Sequence, residues 1–172
     1  MLATRMRTSS GFVWDGYLYK EGDEYEGVTG GWVAGNLLNE ARVTLSKESD
    51  HMYLYVAGTG GTSGYAYAIY VTDKKINLTA FNKISIEWRN TGENIGNNTS
   101  RLCVGTKDTS QFDPSGGTIE AAVDRDGTFT KRVTELDITG VSGEHHILVK
   151  AMDRGTITRA ISELFCYNIW RE

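Results

Sequence analysis

His51-Met52-Tyr53-Leu54-Tyr55-Val56 alternates residue by residue. Successive side chains of a strand point to opposite faces. Met52, Leu54 and Val56 therefore share one face, and His51, Tyr53 and Tyr55 share the other. One apolar face backed by one amphipathic face marks a half-buried strand. The same reading extends in both directions. Ala41–Leu45 alternates upstream, and Phe12–Tyr19 reads as a first strand interrupted at Gly16. Downstream, Tyr65–Val71 is apolar or amphipathic on both faces, as a central strand should be. Ile84, Ile86 and Trp88 oppose Ser85, Glu87 and Arg89. Further strands are predicted over Leu102–Val104, Thr118–Val123, Phe129–Asp137, His145–Ala151 and Ser162–Trp170. Val28–Val33 is strand-like but loosened by glycine, and Ile76–Phe81 reads as a short helical turn or a connection that caps the core.

Composition supports the pattern. Val, Ile and Thr supply 41 of the 172 residues, with 20 glycines and a single proline, Pro114. Branched and aromatic side chains favour pleated surfaces, and glycine supplies the reversals between them. About ten short strands without a helical period predict an all-β fold: an antiparallel β-sandwich of the jelly-roll type. Residues 1–10 lack a strand pattern and read as an N-terminal arm; residues 11–172 read as a single β-sandwich domain. Its core is expected to hold Leu54, Val56, Ile84, Ile86, Trp88, Ile147 and Val149.

Charge narrows the function. The net charge is -4, and basic residues pair only at Lys74–Lys75 and Lys131–Arg132. A phosphate-tracking surface needs concentrated positive charge, so nucleic acid is not an expected partner. No apolar run reaches the ~20 residues of a helical membrane span, and Met1–Trp14 lacks the apolar stretch of a signal peptide. Cys103 and Cys166 sit in predicted strands and read as reduced core thiols, although spacing alone leaves open whether they meet. There is no Gly-x-Ser-x-Gly elbow, no His-Glu-x-x-His and no phosphate loop. His145 and His146 point to opposite faces of one strand and cannot share a metal. No enzymatic activity is expected.

The aromatic inventory is the most usable chemical feature. The apolar C–H face of a sugar ring stacks on a flat aromatic ring, while its hydroxyls bond polar groups at the rim. Tyr53 and Tyr55 alternate on one face, as do Tyr65 and Tyr67, and Gly58–Gly64 between them suits a hairpin turn. A hairpin would line up four tyrosines, with His51 and either Arg89 or Glu87 nearby; Trp32 is a further candidate. Sandwich interior and subunit interface are the other placements open to these rings. The acidic turn carrying Glu21, Asp23, Glu24 and Glu26 offers oxygens of the kind calcium takes, with Glu21, Asp23 and Glu26 as weak candidate ligands. It lacks the Asp-x-Asp-x-Asp-Gly pattern, so solvated turn charges explain it equally, and no other cofactor is expected.

Three segments carry a resemblance. They are Tyr17-Leu18-Tyr19-Lys20-Glu21-Gly22-Asp23-Glu24 with Val28-Thr29-Gly30-Gly31-Trp32; Ile76-Asn77-Leu78-Thr79-Ala80-Phe81-Asn82-Lys83-Ile84; and Glu135-Leu136-Asp137-Ile138-Thr139-Gly140-Val141-Ser142-Gly143 running into His146-Ile147-Leu148-Val149. In this order the chain resembles carbohydrate-binding-module-like jelly-roll domains in tail and minor structural proteins of phages and prophages of Gram-positive bacteria. The resemblance implies a non-enzymatic virion subunit, assembled in the host cytoplasm and homo-oligomeric. Its implied partners are other virion proteins and a host cell-wall glycan. A capsid- or tail-decorating subunit without glycan binding, and a carbohydrate-binding module of a bacterial glycosidase, are the alternatives.

Overall fold

The computed structural model describes residues 6–7, 13–14, 16–35, 37, 42–57, 66–91, 100–105, 119–123, 130–153 and 161–172. Its strands are β1 (Met6–Arg7), β2 (Val13–Trp14), β3 (Tyr17–Lys20), β4 (Trp32–Ala34), β5 (Val43–Lys47), β6 (Met52–Ala57) and β7 (Ala66–Thr72). They continue with β8 (Ile76–Asn77), β9 (Lys83–Asn90), β10 (Arg101–Gly105), β11 (Ile119–Ala122), β12 (Arg132–Asp137), β13 (Glu144–Asp153) and β14 (Ile161–Arg171). The front sheet runs β12-β9-β14-β6-β5, with β3 also on β14. The back sheet runs β11-β10-β13-β7-β4, with β8 also on β13. Every pairing is antiparallel. The predicted all-β jelly-roll sandwich is the fold observed. β1 and β2 pair with each other, so the N-terminal arm contributes a strand that its sequence does not announce.

The core lies between the sheets. Met52, Leu54 and Val56 of β6 are fully buried, as are Ile84 and Ile86 of β9 and Ile147 and Val149 of β13. Trp88 is buried too, and its indole N–H donates to the Thr134 hydroxyl at 2.8 Å. Cys166 faces this interior. Cys103 lies on the outer side of the back sheet in a smaller buried cluster with Ile69, Val71 and Leu148. Both cysteines are free thiols. Burial pushes the Cys103 thiol up to about 12 and raises Cys166 well above the ordinary thiol value. The thiolate is the reactive form. A thiol-exchange titration of the native protein is therefore expected to find neither cysteine, and to find both after denaturation. A rapidly reacting native thiol would contradict this burial.

Two loops depart from the sequence reading. Glu26–Thr29 forms one short helix, α1, closed by Gly30, whose N–H donates to the Glu26 carbonyl. The expected strand Val28–Val33 is therefore split. Gly30 and Gly31 have positive φ and turn the chain inward, so a strand begins only at Trp32. Residues 76–81 form the connection rather than the helical turn, and it opens with a short strand: Ile76 and Asn77 pair with β13, and Leu78–Phe81 closes a tight reversal. The Asp137 carboxylate accepts from the Thr139 N–H at 2.8 Å, closing a side-chain-to-backbone turn.

β14 is the spine of the front sheet. Residues 161–166 pair with β6 and residues 168–170 with β3, so β6 and β3 follow one another along the same edge. On the other edge, Cys166 pairs with Trp88 and Asn168 with Glu87, leaving Tyr167 as an extra residue in a β-bulge.

Candidate functional site

Because Met52, Leu54 and Val56 point inward, Tyr53 and Tyr55 stand on the outer face of the front sheet, half-buried. Strand pairing places Phe165 directly opposite Tyr53, and Glu163 opposite Tyr55. The rings form a contiguous path. Tyr53 lies 6.4 Å from Tyr55 with the planes within 16° of parallel, and 5.1 Å from Phe165. His51 lies 5.2 Å from Phe165 and 5.5 Å from Tyr167. The Arg89 guanidinium rests 4.3 Å above Phe165, and Lys131 Nζ rests 3.8 Å above Tyr167. Cations over aromatic faces at these distances are favourable and hold the rings in place.

Polar groups border the rings. The Tyr53 hydroxyl donates to Glu163 Oε1 at 2.9 Å, and the Thr91 hydroxyl donates to Glu163 Oε2 at 2.5 Å. Burial, reinforced by the Glu163 carboxylate, pushes the Tyr53 phenol well above its ordinary value, so it remains a neutral donor. The hydrogen bond from His51 holds the Asp50 carboxyl below the usual range. Asp50 is then ionised, and His51 Nδ1 donates to it at 2.6 Å. An open groove of about 490 Å³ runs beside these residues, lined by Glu48, Asp50, His51, Tyr53, Glu163 and Phe165 among others.

The four-tyrosine platform is not formed. β6 and β7 lie in different sheets, and Tyr67 packs on the outer side of the back sheet against the cluster holding Ile69 and Val71. It is on the opposite side of the sandwich from Tyr53 and Tyr55. Tyr65 and the Gly58–Gly64 turn lie outside the described residues. Trp32 is fully buried, with its indole N–H donating to the Leu18 carbonyl at 3.0 Å and its ring edge-on to Tyr19. A ring so enclosed presents no stacking face. His51 lines the same groove as Tyr53, whereas Arg89 lies over Phe165, one strand beyond Tyr53. The sequence reading missed Phe165, Tyr167 and Glu163. The signal was Glu163-x-Phe165-x-Tyr167, a carboxylate and two rings at every second position opposite the apolar Leu164 and Cys166.

Two side chains of the acidic turn serve the fold. Asp23 accepts from the Tyr25 N–H at 2.9 Å. Glu24 accepts from the Trp32 N–H at 2.7 Å and pairs with Lys47 at 2.7 Å. Glu26 opens α1. Among the described residues, no three of His, Cys, Asp or Glu gather as a metal site.

No protein-family model and no curated protein matches the chain. Solved structures do. A family 61 carbohydrate-binding module in complex with β-1,4-galactotriose superposes with a TM-score of 0.52 at 14% identity, covering 91% of this chain and 99% of that one. A point mutant of a family 29 carbohydrate-binding module gives 0.51 at 10% identity over 91% and 89%. At such identities the likeness is one of fold.

Proposed function

We propose that this chain is a non-catalytic carbohydrate-binding domain whose ligand lies in the groove on the outer face of the front sheet. The observation that carries the reading is the ring path Tyr55–Tyr53–Phe165–His51–Tyr167, bordered by hydrogen-bonding groups and set on β6 and β14, with His51 immediately before β6. Stacking on Tyr53 and Phe165 supplies apolar contact. Glu163, Thr91 and Asp50 supply acceptors for hydroxyls. The carbohydrate-binding modules that share the fold support this reading, one of them holding a β-1,4-linked galactotriose.

The groove lining also selects by charge. Glu48, Asp50 and Glu163 contribute three carboxylates, while Arg89 and Lys131 are laid against rings. Like charges disfavour an anionic polymer, so the ligand of this proposal is an uncharged glycan. We further place the domain in a phage tail or minor structural protein, with a host-wall polysaccharide as ligand and homo-oligomeric assembly. The three-segment sequence resemblance motivates that setting. Light scattering that finds a strict monomer at high concentration would count against the assembly.

Affinity electrophoresis through gels containing soluble neutral polysaccharides tests the binding. Retention is expected to be nearly unchanged from about 0.1 M to about 1 M salt, although the Debye length falls from about 10 to about 3 Å. Retention that collapses with salt would point to a charged ligand and sink the uncharged-glycan reading.

A further inference from the structure

A second aromatic cluster stands at the other end of the same sheet face. Trp170 and Tyr17 pair across β14 and β3 with rings 6.0 Å apart, and Tyr17 lies 6.1 Å from Tyr25. All three are half-buried. The Trp170 indole N–H donates to Glu172 Oε1 at 2.5 Å, which fixes the polar edge of the ring. Lys20 Nζ lies 4.6 Å from the centre of Tyr17. Tyr25 adopts a left-handed backbone, φ 49° and ψ 48°, with its N–H held by Asp23. A bulky aromatic residue takes that conformation rarely, and such outliers concentrate where a side chain must be aimed.

We propose that Trp170, Tyr17 and Tyr25 form a second contact site for the same glycan, and hence that the ligand is a linear polysaccharide lying along β14 rather than a terminal sugar. The inference rests on the carbohydrate-binding reading of the groove. From Phe165 to Trp170 the facing strand β9 runs from Arg89 to Ser85. That is four residues, or about 14 Å at ~3.4 Å each. A single sugar ring cannot reach both clusters, and an extended oligosaccharide can. Between them lies a polar saddle, where the Asn168 amide donates to Glu87 Oε2 at 2.5 Å. Rings at both ends and hydrogen-bonding groups in the middle match a chain of sugars that stacks at intervals. β6 and β3 share one edge of β14, so the two clusters lie on one continuous surface.

Length dependence tests the proposal. The protein is first screened in affinity gels against galactan, mannan, mixed-linkage glucan and neutral wall polysaccharide from a Gram-positive bacterium. The retained polymer is then hydrolysed, and its disaccharide and hexasaccharide fragments are titrated calorimetrically. The hexasaccharide is expected to bind at least about tenfold tighter, since its second contact is intramolecular. Trp170→Ala should reduce the hexasaccharide to the affinity of the disaccharide and leave the disaccharide unchanged. Tyr25→Asn should do the same. Asn accepts the left-handed backbone, so that variant decides the matter if Trp170→Ala does not fold. Equal binding of both fragments by the parent, or folded variants that hold the hexasaccharide as the parent does, would overturn the second site alone. Retention by no polymer would overturn the carbohydrate reading and the second site with it.

Discussion

Phe165→Ala and Tyr53→Ala are each expected to weaken glycan binding about 30-fold or more. The central rings of a contact typically carry ~2 kcal/mol or more, and ~1.4 kcal/mol is a factor of ten. For a module of millimolar to micromolar affinity, with a total of about −4 to −8 kcal/mol, that loss abolishes retention in a gel. The fold should survive, because both rings are only half-buried and stand outside the sandwich. Tyr53→Ala also removes the donor to Glu163 Oε1, although Thr91 still serves the other oxygen. The melting temperature is expected to fall by a few degrees, at ~2–4 °C per kcal/mol for a domain of this size. Tyr53→Phe keeps the ring and deletes only the hydroxyl, so it should retain most of the affinity. Variants that bind as well as the parent would remove this face from consideration, and the assembly alternative would then take precedence.

Ile86→Ala is expected to cost about 2–5 kcal/mol of folding stability. Ile86 is fully buried at the centre of the front sheet, between Thr134 of β12 and Ile169 of β14. Truncation there leaves a cavity that two hydrogen-bonded neighbours prevent from closing. At ~2–4 °C per kcal/mol the melting temperature should drop by roughly 5–20 °C. Domains of this kind have a margin of about 5–15 kcal/mol, so the variant approaches the limit of folding. Leu164→Ala, on the neighbouring strand and equally buried, should behave alike. A loss below about 1 kcal/mol at both sites, read by denaturant titration, would show that the sandwich is not packed as described.

Side-chain parity was legible in the sequence, and sheet membership was not. Period-two alternation depends only on local backbone geometry, so the inward set Leu54, Val56, Ile84, Ile86 and Trp88 could be read directly. The same logic put Tyr53 and Tyr55 outward. It could not say that β7 crosses to the other sheet, because a glycine-rich connection fits a hairpin and a crossover equally well. That ambiguity is why Tyr67 lies on the opposite side. Trp32 failed for another reason: two positive-φ glycines reverse the chain just before it, so strand parity could not be carried through to its ring. Of the acidic residues, Asp23 and Glu24 are occupied with backbone N–H groups and Lys47, a role that composition does not reveal. Along β14 strict alternation fails at Tyr167, where one residue has no opposite number.

That unpaired residue constrains how the gene for this domain can change. Upstream of Tyr167, odd-numbered residues of β14 face outward; downstream, even-numbered ones do, which is why Ile169 is buried and Trp170 is not. The strand thus carries one residue more than its alternation requires. Removing the codon for Tyr167 would join Cys166 to Asn168 and restore unbroken alternation, with Ile169 still inward and Trp170 still outward. A codon lost elsewhere in the strand is harsher, because every residue between the lesion and the bulge must exchange faces. Loss of Glu163, for example, would drive Phe165 inward and push Leu164 into water. Sliding the strand end cannot repair this. The Arg171 N–H is tied to Gly16, and the Glu172 carbonyl accepts from Asn82 and Lys83. Single-codon deletions in this stretch should therefore be purged except around the bulge, where the fold would survive at the expense of the ring beside His51. A codon-deletion scan read by soluble yield would show that one tolerant spot within an otherwise intolerant strand.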